Sequence, residues 1–146
     1  MTQINTGRVI AGGVLAGFII DAFEWLSSVV FRGTYEDMYA ALNLPEPGAG
    51  AMASLTLGGF AVGILLVWIY AGFRPRWGPG PKAALLAGLA VWLLGWVWQM
   101  VVDIAMGIYS LSAWMWVMAL VWTFVEVQVA ALAGGWLYRE GETVGV

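Results

Sequence analysis

The chain has 146 residues, of which 62% are hydrophobic and only 10% are charged, and its net charge is −3. Soluble domains carry about 45–50% apolar and about 25% charged residues, so this chain has too few charges to cover a surface in water. It contains no Cys and no His, which excludes disulfides, thiolate catalysis and the commonest transition-metal ligand. Six Lys and Arg residues are too few for a nucleic-acid-binding surface. We therefore expect an integral membrane protein that contacts the lipid bilayer, binds no nucleic acid and requires no cofactor.

Four apolar segments follow one another along the chain. They run from about Val9 to Phe31, Gly50 to Phe73, Ala83 to Tyr109 and Ser112 to Tyr138. Each reaches the roughly 20 residues that a helix needs to cross the hydrocarbon core. Because lipid offers the backbone no hydrogen-bond partner, each segment should be a helix. The sequence predicts an all-α fold with a single domain over residues 1–146, a four-helix bundle that spans the membrane.

The segments between these helices differ in length. Arg32 to Gly48 is a longer loop, with room for a short amphipathic helix at the membrane interface. The run from Arg74 to Pro81 predicts a tight turn after the second helix, since Pro lacks an N–H and Gly permits positive φ. The link between the third and fourth helices is very short, so these two should form an antiparallel hairpin.

Basic residues gather at one end of the predicted helices. Five of the six lie there: Arg8, Arg74, Arg76, Lys82 and Arg139. Because basic loops stay on the cytoplasmic side, both termini should face the cytoplasm, in a bacterial inner membrane. Arg74, Arg76 and Lys82 have two interpretations. They bind anionic lipid head groups, or they only set the topology.

Two sequence patterns relate the predicted helices to one another: a glycine spacing and a shift of 75 residues. Gly-x-x-x-Gly occurs at Gly13 and Gly17 in the first helix and again in the second, which predicts close backbone contacts inside the bundle or with another subunit. A shift of 75 places Glu24 on Gln99 (99 − 24 = 75). Two explanations of this shift stay open: a parallel duplication of a helical hairpin, or the independent use of similar residues by helices of one orientation.

Acidic residues lie inside the predicted spans, where a charge at the helix centre costs about 2.5–3.5 kcal/mol. Two are past the middle of the first helix, one is near the outer end of the third, and one is near the middle of the fourth. Spacings of three, four and seven residues place polar neighbours on the same helix faces. The predicted intramembrane polar cluster comprises Asp21, Glu24, Ser28, Gln99, Asp103, Thr123 and Glu126.

Three interpretations of this cluster compete. In the first, the acids are neutral or hydrogen-bonded and lock the helices together. In the second, they form a proton or cation path, and in the third they bind a hard cation or a polar ligand group. The first favours a non-enzymatic accessory or packing subunit of a larger membrane complex. The alternative is a small proton- or cation-coupled transporter or channel. No nucleophile motif such as Gly-x-Ser-x-Gly is present, so we expect no enzyme.

Three features together carry a resemblance. They are Gly12-Gly13 followed by the acidic pair Asp21 and Glu24, the run from Tyr70 to Lys82, and Glu126 followed by Gly134-Gly135-Trp136-Leu137-Tyr138. In these features the chain resembles an uncharacterised family of small four-helix bacterial integral membrane proteins, in which the position of Asp21 is often Asn. The resemblance implies a four-helix fold and a bacterial origin, and it implies no particular activity.

Overall fold

The computed structural model describes residues 4–107 and 112–138, and this part of the chain is almost entirely helical. The helices are α1 (Thr6–Val30), α2 (Arg32–Ala41), α3 (Ala49–Trp77), α4 (Pro81–Trp92), α5 (Trp98–Met106) and α6 (Ala113–Leu137). A π-helical segment, Leu93–Val97, joins α4 to α5. We call the continuous helix Pro81–Met106 the third span. With α1, α3 and α6 it gives four helices that are long and apolar enough to cross a membrane, which indicates a multi-pass membrane protein.

The all-α prediction is confirmed for the described residues, but the end of the second predicted helix differs. The sequence placed this end at Phe73, whereas α3 continues through Pro75 to Trp77. The last turn survives the proline because the rings of Phe73 and Trp77 pack edge to face with centroids 5.0 Å apart. In addition, the N–H of Gly78 donates to the carbonyl of Arg74 at 2.8 Å. These local contacts within the last turn of α3 thus offset the missing N–H of the proline.

Glycine and proline form the turn between α3 and α4. Gly78 and Gly80 have φ angles of +78° and +123°, a backbone region that favours glycine. Pro81 then opens α4 at the first helical position, where a missing N–H costs nothing. At the other end of the third span, Gly107 stops α5 with a φ of +64°. The predicted end of this helix at Tyr109 lies outside the described residues.

The helices pack in a four-cornered arrangement. α1 packs against α3 and α6, and α4 packs against the same two helices from the opposite side. α3 and α6 also touch each other, so they form the shared centre of the bundle. α5, in contrast, has no extensive packing with α1, α3 or α6. The third span therefore leaves the bundle after its π-helical segment. α2 forms where the sequence predicted a short interfacial helix, between α1 and α3.

Two tyrosines tie the chain together at one end of the bundle. Tyr138 Oη accepts from the N–H of Asn5 at 3.3 Å, and Tyr70 Oη accepts from the N–H of Gly80 at 3.2 Å. Their rings pack edge to face with centroids 5.9 Å apart, and the guanidinium of Arg74 lies 5.2 Å from the centroid of the Tyr138 ring. We call this the terminal end, and the opposite one, which carries α2, the α2 end.

Glycines bring α1 and α3 into backbone contact. A Cβ on Gly17 would lie 2.6 Å from the Cα of Phe60, and a Cβ on Gly63 would lie 2.7 Å from the Cα of Gly17. Both are closer than side-chain atoms approach a backbone. The glycine spacing seen in the sequence therefore serves packing within the bundle.

Candidate functional site

The predicted polar residues lie on two sides of α6. One group faces the packing of α1 with α3 and α6, and we call it the carboxyl site: Asp21, Glu24 and Glu126. The other lies between the third span and α6, and we call it the groove group: Gln99 and Asp103 of the third span and Thr123 of α6. Ser28 belongs to neither, because it is exposed and its hydroxyl donates to the carbonyl of Trp25 at 2.7 Å.

Glu126 is fully buried, with 0% of its surface exposed. It lies 13 residues after the first residue of α6, or about 20 Å along the helix axis. Neither of its carboxyl oxygens has a hydrogen-bond partner among the described residues. A bare carboxylate in such surroundings is very costly, so the charge must be relieved by a proton or by a bound cation.

Asp21 lies where α1 crosses α3. Its Oδ1 atom occupies the space where a Cβ on Gly59 would stand. Its Oδ2 atom is buried and, like the oxygens of Glu126, has no partner among the described residues. Gly59 therefore makes room for a carboxyl group at the contact of the two helices.

Glu24 connects the carboxyl site to the surface of the bundle. Its side chain is exposed, and it lies three residues beyond Asp21, about 5 Å closer to the α2 end. Its carboxyl group interacts electrostatically with those of Asp21 and Glu126. The ion pair found among the described residues is that of Arg32 with Glu36 on α2, which leaves the site without a basic partner.

An aromatic group lies beside Glu126 on its α2 side. Trp122 precedes Glu126 by one helical turn, and its ring packs edge to face against Phe23 at 5.8 Å and against Phe31 at 5.4 Å, measured between centroids. The indole Nε1 is buried and makes no hydrogen bond within the described part of the chain. The indole N–H of Trp122 and the two carboxyl oxygens of Glu126, all without a hydrogen-bond partner among the described residues, thus lie within one turn of α6.

A hydroxyl pair connects α1 to α2 near this aromatic group. Ser27 Oγ lies 3.3 Å from Tyr35 Oη, and it also donates to the carbonyl of Glu24 at 2.8 Å. Burial raises the pKa of Tyr35, while the hydroxyl of Ser27 acts in the opposite direction. The sequence prediction chose Ser28 at the seven-residue spacing, whereas the buried hydroxyl is that of Ser27.

The three carboxyl groups do not form a chelating set. Within residues 4–107 and 112–138, no three or more Asp, Glu, His or Cys side chains are arranged to hold a metal ion together. A hard cation such as Ca²⁺ requires about six to eight oxygen ligands around one point. The carboxyl site therefore suits a proton better than a chelated metal.

The groove group is hydrogen-bonded. Asp103 is buried, and its Oδ1 accepts from Nε2 of Gln99 at 2.8 Å. The hydroxyl of Thr123 donates to the carbonyl of Ala119 at 2.9 Å and accepts from Nε1 of Trp92 at 3.2 Å. These side chains line a groove of about 560 Å³ between α3, the third span and α6.

Gln128 is a buried polar residue that the sequence prediction missed. Its amide packs on Gly88, where a Cβ would come within 2.6 Å. With the amide oriented to suit its neighbours, the nitrogen donates to the carbonyl of Leu85 and the oxygen accepts from the N–H of Leu89, each at 3.2 Å. Gln128 thus links α6 to α4. Its signal was a lone amide in an apolar helix, two residues from the more conspicuous Glu126.

The predicted head-group residues all lie at the terminal end. Arg74 is half-buried against the rings of Tyr70 and Tyr138. Arg76 is exposed beside Trp77, with its guanidinium 5.4 Å from the ring centroid, and Lys82 is exposed at the start of α4. Arg76 and Lys82 are therefore free to reach a membrane surface, whereas Arg74 is part of the packing around the two tyrosines.

The fold and the site define a class: a helical protein with four potential membrane spans and buried carboxyl groups at the centre of the bundle. No family model, curated protein or solved structure matches the chain. The resemblance to small four-helix bacterial membrane proteins therefore stays a prediction.

Proposed function

We propose that the chain binds protons at Glu126 and works as a small proton-coupled transporter or channel, without enzymatic activity. The observation that carries this proposal is the complete burial of Glu126 without a partner, among the described residues, for either carboxyl oxygen. Acids inside membrane spans pair with other groups or mark ion pathways. Proton uptake removes the charge of Glu126 and needs no further ligand.

The other polar residues of α6 support this choice over a purely structural role. Thr123 and Gln128 hydrogen-bond to the third span, as residues that lock helices together should. Glu126 makes no such bond, and its burial costs stability instead. A role as an accessory subunit, which the sequence favoured, predicts acids that are neutral or hydrogen-bonded and lock the helices together, and Glu126 joins no two helices by a hydrogen bond among the described residues. This role therefore becomes the second candidate.

The proton route runs from the surface of the bundle inward. Glu24 is exposed, Asp21 is half-buried, and Glu126 is fully buried, so each step along the three carboxyl groups goes deeper. Protons enter from the α2 end, because Glu24 lies six residues before the end of α1 on that side, or about 9 Å. Movement of the aromatic group around Trp122 would open the buried part of this route.

Charge supports an orientation for this route in a bacterial inner membrane. Arg8, Arg76 and Lys82 lie at the terminal end, whereas Arg32 on α2 is paired with Glu36. The positive-inside rule then puts the termini in the cytoplasm and the α2 end outside. Glu24 accordingly receives protons from the outer face.

The tyrosine contacts at the terminal end support a duplicated hairpin. Asn5 and Gly80 are the N-cap residues of α1 and α4, and they are separated by the same shift of 75 that aligns Glu24 with Gln99 (80 − 5 = 75). Each gives its N–H to a tyrosine at the end of the other half of the chain, Tyr138 or Tyr70. The donors are equivalent under this shift, whereas the two tyrosines are separated by 68 residues (138 − 70 = 68), so a repeat also requires a length difference of seven residues between the hairpins.

Proton flux into liposomes tests the proposed function. The purified chain is reconstituted in vesicles that contain a pH-sensitive dye, and a pH gradient is imposed across the membrane. We expect proton entry above the level of protein-free vesicles, and we expect Glu126→Gln to reduce it to that level, because an amide cannot carry the proton.

Glu46→Gln is the matched control, since Glu46 is an exposed acid in the loop after α2. It should retain native flux, and circular dichroism should show that both variants keep their helical content. Equal flux from native protein and Glu126→Gln, or no flux above empty vesicles, would contradict the proposal.

A further inference from the structure

The groove beside α6 has the size of a ligand site. Its volume of about 560 Å³ falls within the roughly 300–1,000 Å³ typical of small-molecule sites. Most of its lining is apolar, with contributions from Val62 and Leu65 of α3, Leu94 and Met100 of the third span, and Leu120 of α6. None of Asp21, Glu24 and Glu126 lines it, so it is distinct from the proposed proton route.

The π-helical segment creates this groove. α4 packs against α3 and α6, but α5 does not pack extensively against either of them. The third span therefore diverges from α3 and α6 after its π-helical segment. A π-helical turn accommodates an additional residue and changes the direction and register of the helix beyond it. Gly95 lies in this segment, lines the groove and has no neighbour within 4 Å of a Cβ position. The course of the third span and the absence of a side chain at Gly95 thus both leave space in the groove.

One end of the groove carries an acidic side chain. Asp103 is buried three residues before the end of α5, near the α2 end, with its Oδ1 bonded to Gln99. No Lys or Arg forms an ion pair with it among the described residues. Buried acidic groups in proteins are usually paired, and an ammonium group, which donates hydrogen bonds and carries positive charge, is a matching partner for this carboxyl group.

The groove has the length of an extended acyl chain. It extends from Val91 to Asp103, 12 residues or about 18 Å along the third span. A helix about 10 Å wide over that length occupies on the order of 1,400 Å³, so it could lie in the groove only along one face. An acyl chain is much thinner, and its apolar surface matches the lining.

We propose that the groove binds one phospholipid with an ammonium head group, of the phosphatidylethanolamine type. One acyl chain lies between α3, the third span and α6, and the ammonium group lies against Asp103. This position places the head group toward the α2 end, at the level where a membrane interface follows the end of α5. The site does not depend on proton binding at Glu126.

Lipid retention in native mass spectrometry tests this site. The delipidated protein is offered phosphatidylethanolamine or phosphatidylglycerol with identical acyl chains. We expect one phosphatidylethanolamine molecule per chain and a preference over phosphatidylglycerol of about tenfold. Asp103→Asn should abolish the preference, and Leu120→Trp should fill the groove and abolish the binding of both lipids.

Glu126→Gln is the control that separates the two proposals, since it should keep the native lipid preference. Equal retention of both lipids by the native chain, or an unchanged preference in Asp103→Asn, would overturn the lipid site. So would a native preference in Leu120→Trp with intact helical content. Co-purification of a second membrane protein that Leu120→Trp displaces would assign the groove to a partner chain instead.

Discussion

Two polar residues of α6 show how a small rotation around the helix axis decides the role of a side chain. Each residue advances by about 100° around a helix, so Thr123 and Glu126 differ by only about 60°. Because α6 lies between α1 and the third span, this difference is enough to direct Thr123 to Trp92 and Glu126 to the carboxyl site. The sequence spacing placed both on one face and therefore in one cluster. Periodicity cannot separate them when the positions of the neighbouring helices are unknown.

The burial of the Tyr35 side chain predicts that the protein loses stability at alkaline pH. Burial raises the pKa of its phenol in the folded protein, so the fold favours the neutral form. The stability from this preference is fully present below the pKa of an unfolded tyrosine, about 10, and is lost as the pH rises through the folded pKa. We expect Tyr35→Phe to reduce the fall in melting temperature above pH about 10.

A control without an ionisable group is Met38→Leu, three residues further along α2 and half-buried like Tyr35. It should follow the alkaline melting profile of the native protein. Parallel profiles for the native chain and Tyr35→Phe would show that the environment of Tyr35 does not contribute to this pH dependence.

At the scale of helices, the sequence predicts which segments are helical, but it does not predict where each helix ends or changes its geometry. The four apolar segments had to be helices because the bilayer leaves no other way to satisfy their backbones. The continuation of α3 through Pro75 is accompanied by the i,i+4 contact of Phe73 with Trp77, a local signal that the sequence prediction missed because it took the proline as the end of the helix. Likewise Leu93–Val97 has an ordinary apolar composition, so the sequence does not predict its π-helical turn. This turn lies where the packing of α4 in the bundle gives way to the weaker packing of α5.

The contact between α1 and α3 provides a test at this scale. A Cβ on Gly63 would collide with the backbone of Gly13 and Gly17, which cannot move without separating the helices. We expect Gly63→Ala to destabilise the bundle by about 1–3 kcal/mol, the usual cost of overpacking. Unfolding in detergent, followed by circular dichroism, measures this difference.

Gly58→Ala is the matched control in the same helix, because a Cβ there has no neighbour within 4 Å. It should leave stability unchanged or raise it by up to about 1 kcal/mol through helix propensity. If the two variants were equally stable, the glycine contact of α1 with α3 would not be a main source of the stability of the bundle.

At the scale of the whole molecule, α6 separates two sites of different character. On one side, buried carboxyl groups lack partners among the described residues, and on the other an apolar groove ends in a hydrogen-bonded acid. The sequence predicted the fold class and the residues of both sites. It could not assign them to two sites, because the order of helices around a bundle depends on contacts such as that of Gly59 with Asp21, which link residues far apart in the chain.

The central claim is that Glu126 carries a proton inside the bundle, and infrared difference spectroscopy during a pH titration tests it most directly. A protonated carboxyl group has a carbonyl band that is lost on deprotonation. Because every Asp and Glu contributes to this band, we expect Glu126→Gln to lack one component that the native protein shows, while Glu46→Gln keeps that component. An identical carboxyl band in the native protein and in Glu126→Gln would contradict proton binding at this residue.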